Sequence, residues 1–271
     1  MALVTICSSK GAPGVTSTAL ALASVWPISV TLVEADPTGG DLALRVRLAS
    51  GGEMAPRPSL LDLALAVRGD YDPDAVLAQT AQMLACGVAA VRGVDSSTQA
   101  EGAAQLWGRV AQCLRAATGD VIVDAGRVSS APKELLAAAH RIVVVGPATF
   151  AGVVHLRETV RELQTRSDGR ARVTPVLVGS AKFGAADCAD LDQVLRDAGA
   201  NAAKSMPLAW EPGTLAQLEI SATAGGKKPA KSALLTSAKA IAEQLATPSA
   251  ENPWMTAAKQ TVVSDEAEVL S

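Results

Sequence analysis

The sequence has few aromatic residues and few cysteines, and both shortages limit what the protein can be. Only 3% of the 271 residues are aromatic while 49% are hydrophobic, so the core has to be built from Ala, Val and Leu side chains. That hydrophobic share is too high for a disordered chain. The four cysteines are scattered and form no C-x-x-C pair. This spacing excludes a disulfide framework and favours reduced, buried thiols in a cytoplasmic protein.

Several other kinds of segment and site are missing. No run of 18 apolar residues is present, and the N-terminus has no charged segment followed by a cleavage site, so we expect neither a membrane span nor a signal peptide. The two histidines, His140 and His155, have no partners at ligand spacing and are interpreted as structural. A net charge of −3 gives no general attraction to nucleic acid.

Short apolar runs alternate with helical stretches along most of the chain. This pattern predicts an α/β fold, a doubly wound and mainly parallel sheet with helices on both faces. One domain is expected over residues 1–246, followed by a flexible C-terminal tail over residues 247–271. The predicted strands are residues 2–7, 29–34, 86–92, 121–124, 141–145, 172–178 and 204–206. The predicted helices are residues 15–25, 59–67, 97–116, 131–138, 150–164, 186–198 and 231–245.

The most informative motif lies between the first predicted strand and the first predicted helix. Residues 9–17 read S-K-G-A-P-G-V-T-S, and a standard phosphate-binding loop reads G-x-x-x-x-G-K-[S/T]. Ser9 and Gly14 stand at the two glycine positions, Val15 at the lysine position and Thr16 at the Mg²⁺-ligand position. The loop is therefore predicted to hold a nucleotide while being poorly equipped to hydrolyse it.

Acidic residues follow two later predicted strands. Asp36 comes directly after the second strand, in E-A-D-P-T-G-G, and Asp124 ends the run V-I-V-D. Because the carboxyl ends of parallel strands meet at one edge of the sheet, both side chains are expected beside the phosphate loop. Asp124 is then the acid that holds Mg²⁺, and Asp36 the one that approaches the γ-phosphate and orients a water. Asp120, at the start of the same run, is interpreted as a turn or cap residue.

The ordered set of motifs resembles a known family. Residues 10–17 resemble the deviant Walker A motif, K-G-G-x-G-K-[T/S]-[T/S], of the ParA/MinD (SIMIBI-class) P-loop NTPases. Residues 34–40 are similar to that family's D-x-D-P-x-G-N switch segment, residues 121–124 to its Walker B strand and residues 206–208 to its late I-P segment. The resemblance covers residues 1–246 and is nearest to the actinobacterial MinD-like and pilus-associated TadZ/CpaE-like branch with a degenerate Walker A.

The resemblance implies cofactors, partners and site residues. Family members bind ATP or ADP with Mg²⁺, form face-to-face homodimers and position protein partners in larger assemblies. It implies catalytic roles for Lys10, which reaches across the dimer, and for Asp36. The nucleotide-binding residues carried over are Ser9, Lys10, Gly11, Ala12, Pro13, Gly14, Val15, Thr16 and Ser17. The metal-binding residues carried over are Thr16, Asp36 and Asp124.

Departures from the family pattern predict weak or lost ATPase activity. Val15 removes the lysine that neutralises β/γ-phosphate charge, and phosphoryl transfer depends on such charge stabilisation. Pro13 stiffens the loop and removes an N–H donor. Gly40 replaces the asparagine after the switch glycine. Residues 178–180, V-G-S, stand where the family often has an asparagine that reads the base.

Three functions remain open at this point. The first is a nucleotide-binding, dimerising scaffold or positioning protein, serving pilus or secretion assembly. The second is an active ParA-type ATPase in DNA partitioning, in which Lys10 compensates for Val15 and the only basic cluster binds DNA; the cluster comprises Lys227, Lys228, Lys231 and Lys239. The third is a nucleotide-free interaction module with a vestigial pocket. The acidic tail does not resemble a basic amphipathic membrane anchor.

Overall fold

A single eight-stranded sheet forms the centre of the molecule. The computed structural model describes residues 1–9, 14–166, 171–180, 182, 184–220 and 232–246. Seven strands are parallel, and only β3 pairs antiparallel, with β4, at one edge of the order β3-β4-β2-β5-β1-β6-β7-β8. The predicted α/β fold class is confirmed. The strands are β1 (Leu3–Ser8), β2 (Val30–Glu34), β3 (Gln82–Met83), β4 (Ala89–Val91), β5 (Asp120–Arg127), β6 (Arg141–Pro147), β7 (Arg172–Gly179) and β8 (Met206–Ala209).

Helices cover both faces of the sheet, as the apolar composition of the strands requires. Leu3 and Cys7 of β1 belong to one hydrophobic core, whereas Val4 and Ile6 belong to the core on the opposite face. Because successive strand residues point to opposite faces, a strand buried on both sides has to be apolar at every position. The helices are α1 (Val15–Ser24), α2 (Leu42–Arg45), α3 (Leu60–Ala66), α4 (Pro73–Thr80), α5 (Ser97–Gly102), α6 (Trp107–Ala116), α7 (Lys133–Ala138), α8 (Phe150–Arg166), α9 (Ala185–Asp197), α10 (Pro212–Ile220) and α11 (Ala233–Ala246).

Some elements differ from the prediction. The predicted helix 97–116 is two helices, because α5 ends at Gly102, a poor helix former, and a 3₁₀ turn at Ala104–Leu106 follows it. The predicted strand 86–92 is only Ala89–Val91, and the strand predicted at 204–206 is Met206–Ala209. The helices α2, α4 and α10 were not predicted. Asp72, which caps α4 before Pro73, was an available sequence signal for one of them.

Asp120 is a buried anchor, and its interpretation as a turn or cap residue was wrong. It begins β5 and is only 2% exposed. Its carboxylate accepts hydrogen bonds from the backbone N–H of Ala2 at 2.5 Å and from Nε1 of Trp26 at 2.8 Å. Asp120 therefore fixes the start of β1 and the end of the α1 segment to the amino edge of the sheet, opposite the phosphate loop.

The carboxyl edge of the sheet gathers the ends of β1, β2 and β5 side by side. Asp124 of β5 is in register with Ile6 of β1 and with Glu34 of β2. The loop into α1 leaves β1 at this edge, and the segment that contains Asp36 leaves β2 there.

None of the helices in the described residues is long and apolar enough to cross a membrane. The tail at residues 247–271 lies outside the described residues, so its separation from a domain at 1–246 stays a prediction.

Candidate functional site

The N-terminus of α1 presents backbone donors at the carboxyl edge of the sheet. Gly14 caps the helix in the left-handed conformation, with φ at 112°, which glycine adopts without strain. The helical hydrogen bonds begin with Thr18 N–H donating to Gly14 O at 2.8 Å. The N–H groups of Val15, Thr16 and Ser17 precede that first bond, at the positive end of the helix dipole. This arrangement is a good binding site for a phosphate group.

Two buried hydroxyl groups at the end of β1, on Ser8 and Ser9, are further polar groups of this region that lack a hydrogen-bond partner among the described residues. Ser8 and Ser9 are each 1% exposed, and their Oγ atoms have no hydrogen-bond partner among the residues that the structure describes. A buried hydroxyl without a partner costs free energy, so such atoms mark places where a ligand or water is expected. Of the predicted nucleotide-binding residues, Lys10, Gly11, Ala12 and Pro13 lie outside the described residues.

Thr16 and Asp124 lie in direct contact. The Thr16 hydroxyl donates to Oδ2 of Asp124 at 2.6 Å, and Oδ1 of Asp124 accepts from Gly126 N–H at 3.0 Å. Because the Thr16 hydroxyl donates its hydrogen to Asp124, the lone pairs of Thr16 Oγ1 remain available to a cation. The structure thus brings together two of the three predicted metal-binding residues, which are 108 positions apart in the sequence.

Asp36 lies against Gly126, two residues after Asp124 within β5. A Cβ atom at Gly126, where φ is +65°, would be 2.1 Å from Oδ2 of Asp36, so only glycine leaves room for this carboxylate. Oδ1 of Asp36 accepts from the backbone N–H of Thr38 at 2.8 Å and from its hydroxyl at 2.7 Å. Asp36 is therefore fixed on the same side of the sheet edge as Asp124, as predicted.

Glu34 is a third acid at this edge, and its role was missed. Its side chain is 2% exposed, with Oε1 accepting from Leu42 N–H at 2.8 Å and Oε2 from Gly93 N–H at 2.9 Å. A Cβ atom at Gly40 would be 2.2 Å from Oε2, so a residue larger than glycine at this position would displace the Glu34 carboxylate. Glu34 thus ties the switch segment to the end of β4. The adjacent glycines at positions 39 and 40 were the available signal.

Two of the acids at this edge, Glu34 and Asp124, are buried carboxyls with raised pKa values. Burial raises the pKa of Glu34 to about 7, and the nearby Asp124 and Asp41 raise it further against the two backbone hydrogen bonds. Burial likewise raises the pKa of Asp124 to about 6, with Asp36 adding to the rise and Thr16 and Gly126 opposing it. Both shifts arise chiefly from burial, which disfavours the ionised form, so a cation bound beside Asp124 would stabilise its carboxylate.

The donor set fits magnesium with a nucleotide better than magnesium alone. Thr16, Asp36 and Asp124 offer hydroxyl and carboxylate oxygens, which Mg²⁺ prefers. Within the part of the chain that the structure describes, no three His, Cys, Asp or Glu side chains are placed to hold a metal ion by themselves. Mg²⁺ is commonly bound by one or two carboxylates, phosphate oxygens and water. Thr16 and Asp124 would hold the ion here, and Asp36 lies at the same edge of the sheet.

Val15 does not turn toward the site. Its side chain is 6% exposed and packs in the same hydrophobic core as Val4 and Ile6. Only the backbone N–H of this residue is therefore placed to contact a phosphate. The positive charge of the lysine found at this position in a standard phosphate-binding loop is absent, and the Val15 side chain packs in the core instead.

Arg45 contacts the first turn of α1, and sequence reasoning missed it. Its Nη2 donates to Ser17 Oγ at 2.9 Å, and its Nε donates to Oε1 of Glu219 on α10 at 2.9 Å. Burial raises the pKa of Asp124, and the charge of Arg45 partly opposes that rise. In the sequence Arg45 is one of two arginines in L-A-L-R-V-R, and nothing there distinguishes it from Arg47.

The remaining predicted features lie apart from this cluster. Lys239 forms an ion pair with Glu243 at 3.7 Å, while the other three lysines of the basic cluster lie outside the described residues. His140 has the expected structural role, because its Nδ1 accepts from Leu3 N–H at 2.9 Å. At the position of the base-reading asparagine, Gly179 O accepts from Trp210 N–H at 2.6 Å, so the ends of β7 and β8 adjoin.

Comparison with solved structures identifies the fold. The chain is similar to a ParA family ATPase from Chlorobium tepidum TLS, with 15% identity, a TM-score of 0.67 and coverage of 89% of this chain and 97% of that one. It is also similar to the septum site-determining protein MinD complexed with Mg-ADP from Pyrococcus horikoshii OT3, with 14% identity, a TM-score of 0.63 and coverage of 91% and 96%. The MinC:MinD cell division protein complex of Aquifex aeolicus matches with 15% identity, a TM-score of 0.59 and coverage of 92% and 98%.

These matches show an α/β fold shared with ParA- and MinD-type P-loop ATPases over almost the whole length of those proteins. A comparison with family models finds no match, and neither does a comparison with curated proteins. At such low identities the likeness is one of fold. The function has to be argued from the site itself.

Proposed function

We propose that the protein is a cytosolic, homodimeric nucleotide-binding protein that holds ATP or ADP with Mg²⁺ at the N-terminus of α1. It acts as a scaffold or positioning protein with weak or lost ATPase activity, and it serves a pilus or secretion assembly. The observation that carries the proposal is the hydrogen bond between Thr16 and Asp124, 2.6 Å long, next to the unpaired N–H groups of α1. The Ser9 hydroxyl, which is buried and has no partner among the described residues, supports it further.

Each part of the site has a separate role in this proposal. The N–H groups of Val15, Thr16 and Ser17 would bind phosphate oxygens, and the Thr16 hydroxyl, held by its hydrogen bond to Asp124, would offer its oxygen to the ion. Asp36 senses the terminal phosphate from its place over Gly126. Magnesium supplies charge neutralisation of the phosphates when it is bound. Gly39 and Gly40 and the fixed carboxylate of Glu34 hold the segment that carries Asp36.

Weak turnover follows from the absence of a lysine at position 15. In P-loop ATPases that lysine neutralises charge that develops on the transferred phosphate, and removing such a group slows the reaction greatly. A protein of this kind binds nucleotide as a structural signal and changes state when ATP is exchanged for ADP. The MinC:MinD complex supports the idea of a protein partner, because the MinD there has the same fold.

Calorimetric titration of the full chain with ATP, ADP and GTP, each with Mg²⁺, tests the proposal. We expect binding of ATP or ADP, and ligand at a hundred times its dissociation constant should stabilise the fold by about 2.7 kcal/mol. Thr16→Ala should weaken the Mg²⁺-dependent part of binding, whereas Thr16→Ser should retain it. Ser24→Ala is the matched control, because this hydroxyl bonds to Ala21 O at the far end of α1.

Two results would contradict the proposal. No heat and no thermal stabilisation with any of the three nucleotides at millimolar concentration would favour an interaction module with a vestigial pocket. Rapid phosphate release that collapses in both Lys10→Ala and Asp36→Ala would favour an active ATPase instead. Light scattering with and without nucleotide measures the homodimer directly.

A further inference from the structure

Arg45 presents unused hydrogen-bond donors beside the phosphate site. Nε and Nη2 donate to Glu219 and Ser17, and neither N–H of Nη1 has a partner among the described residues. The guanidinium carries five N–H donors in one plane and is well suited to phosphate oxygens. The side chain is 30% exposed, so the guanidinium is partly open to solvent.

Position and charge connect this side chain to the site. Ser17, which receives the Nη2 hydrogen bond, lies in the first turn of α1, where the N–H groups lack helical partners. Arg45 also acts electrostatically on Asp124, the partner of Thr16. Glu219 on α10 accepts from Nε and also from Nη2 of Arg45, so the orientation of the guanidinium is set before any ligand binds.

We propose that Arg45 is a phosphate-binding residue of this chain and supplies the positive charge that Val15 does not. The inference rests on the proposed nucleotide binding at α1 and names the group that neutralises the phosphates within the same subunit. An arginine differs from a lysine here because its planar donors can bridge Ser17 and a phosphate oxygen at once. The nearby Glu219 offsets part of its charge, which fits a protein that retains nucleotide but turns it over slowly.

The inference is tested by titrating the full chain with ADP and, separately, with pyrophosphate, both with Mg²⁺ and at two salt concentrations. Arg45→Gln should weaken binding of both probes about tenfold or more, because a charged hydrogen-bond donor to phosphate is lost. The variant should also show a smaller loss of affinity with salt, since one cation fewer faces the ligand. Arg45→Lys keeps the charge without the planar donors and should lie between the wild type and Arg45→Gln.

Arg47→Gln is the matched control. Arg47 lies two residues further on and its ion pair, with the exposed Glu53 at 3.4 Å, involves no residue of the site. The control makes the same charge change, so it should bind both probes within about twofold of the wild type. Melting curves without ligand establish that each variant is folded. If Arg45→Gln does not fold, Arg45→Met removes the charge while keeping a long apolar stem and carries the test.

The outcomes separate the two proposals. Wild-type binding that is unchanged in Arg45→Gln or Arg45→Met, or reduced equally in Arg47→Gln, overturns the role of Arg45 and leaves nucleotide binding intact. Absence of binding in the wild type overturns the proposed function, and the role of Arg45 falls with it. A loss confined to the Arg45 variants, seen with pyrophosphate as well as ADP, supports a direct contact with phosphate.

Discussion

The buried carboxylate of Asp120 gives the sharpest stability prediction. Asp120→Ala removes the acceptor of two buried donors, the N–H of Ala2 and the indole N–H of Trp26. Hydrogen bonds to a charged group contribute about 1.5–3 kcal/mol each. Since the lost carboxylate also no longer has to be desolvated, we expect the free energy of unfolding to fall by about 3–5 kcal/mol. Asp120→Asn keeps one acceptor oxygen but turns an amide N–H toward a donor. The free energy of unfolding should therefore fall somewhat less in Asp120→Asn than in Asp120→Ala.

A double-mutant cycle isolates the contact with Trp26. Trp26→Phe alone removes one donor, and the double variant should lose less than the sum of the two single losses by about 1–3 kcal/mol. Urea unfolding followed by far-UV circular dichroism measures each free energy. Asp197→Ala is the control, because this aspartate is exposed on α9 and bonds only to Gln193, and its effect should be within about 0.5 kcal/mol. An Asp120→Ala variant as stable as this control would refute the reasoning.

Two further predictions concern pH and the switch segment. Burial, with Arg115 adding to it, lowers the pKa of His140 from 6.5 to about 4. The unfolded chain therefore takes up the proton first, so the contribution of His140 is fully present above pH 6.5 and is lost as the pH falls toward 4. His140→Gln should flatten this part of the pH–stability curve in urea titrations, and an unchanged curve would exclude His140 as its source. Gly126 has φ at +65°, and the Cβ atom introduced by Gly126→Ala would be 2.1 Å from Asp36, so the substitution should displace that carboxylate. We expect the free energy of unfolding to fall by about 1–3 kcal/mol and the binding of Mg²⁺-ATP to weaken. Gly69→Ala meets no atom within 4 Å and serves as the control; equal ATP affinities in the two variants would argue against a role for Asp36.

The sequence by itself determined the fold class and the edge at which the site lies. Strands that are buried on both faces need continuous apolar runs, and those runs alternate with helices, so a doubly wound parallel sheet followed from pattern alone. Once the sheet is parallel, the segments after β1, β2 and β5 must leave the same edge. Thr16, Asp36 and Asp124 could therefore be predicted as neighbours before any contact was known.

Only the tertiary structure decided which side chains complete the site and which ones anchor the sheet. Arg45 forms hydrogen bonds with Ser17, 28 residues away in the sequence, and with Glu219, 174 residues away. Trp26 and Asp120, which also form a hydrogen bond, are 94 residues apart. Such pairs form because α10 packs against α1 and because β5 lies beside β1 in the sheet. Neither contact can be predicted from the local pattern of apolar residues. Glu34 and Asp120 both look like ordinary acids in the sequence. Their roles depend on burial and on the hydrogen-bond donors that folding brings to them, such as Gly93 N–H for Glu34 and the Trp26 indole for Asp120.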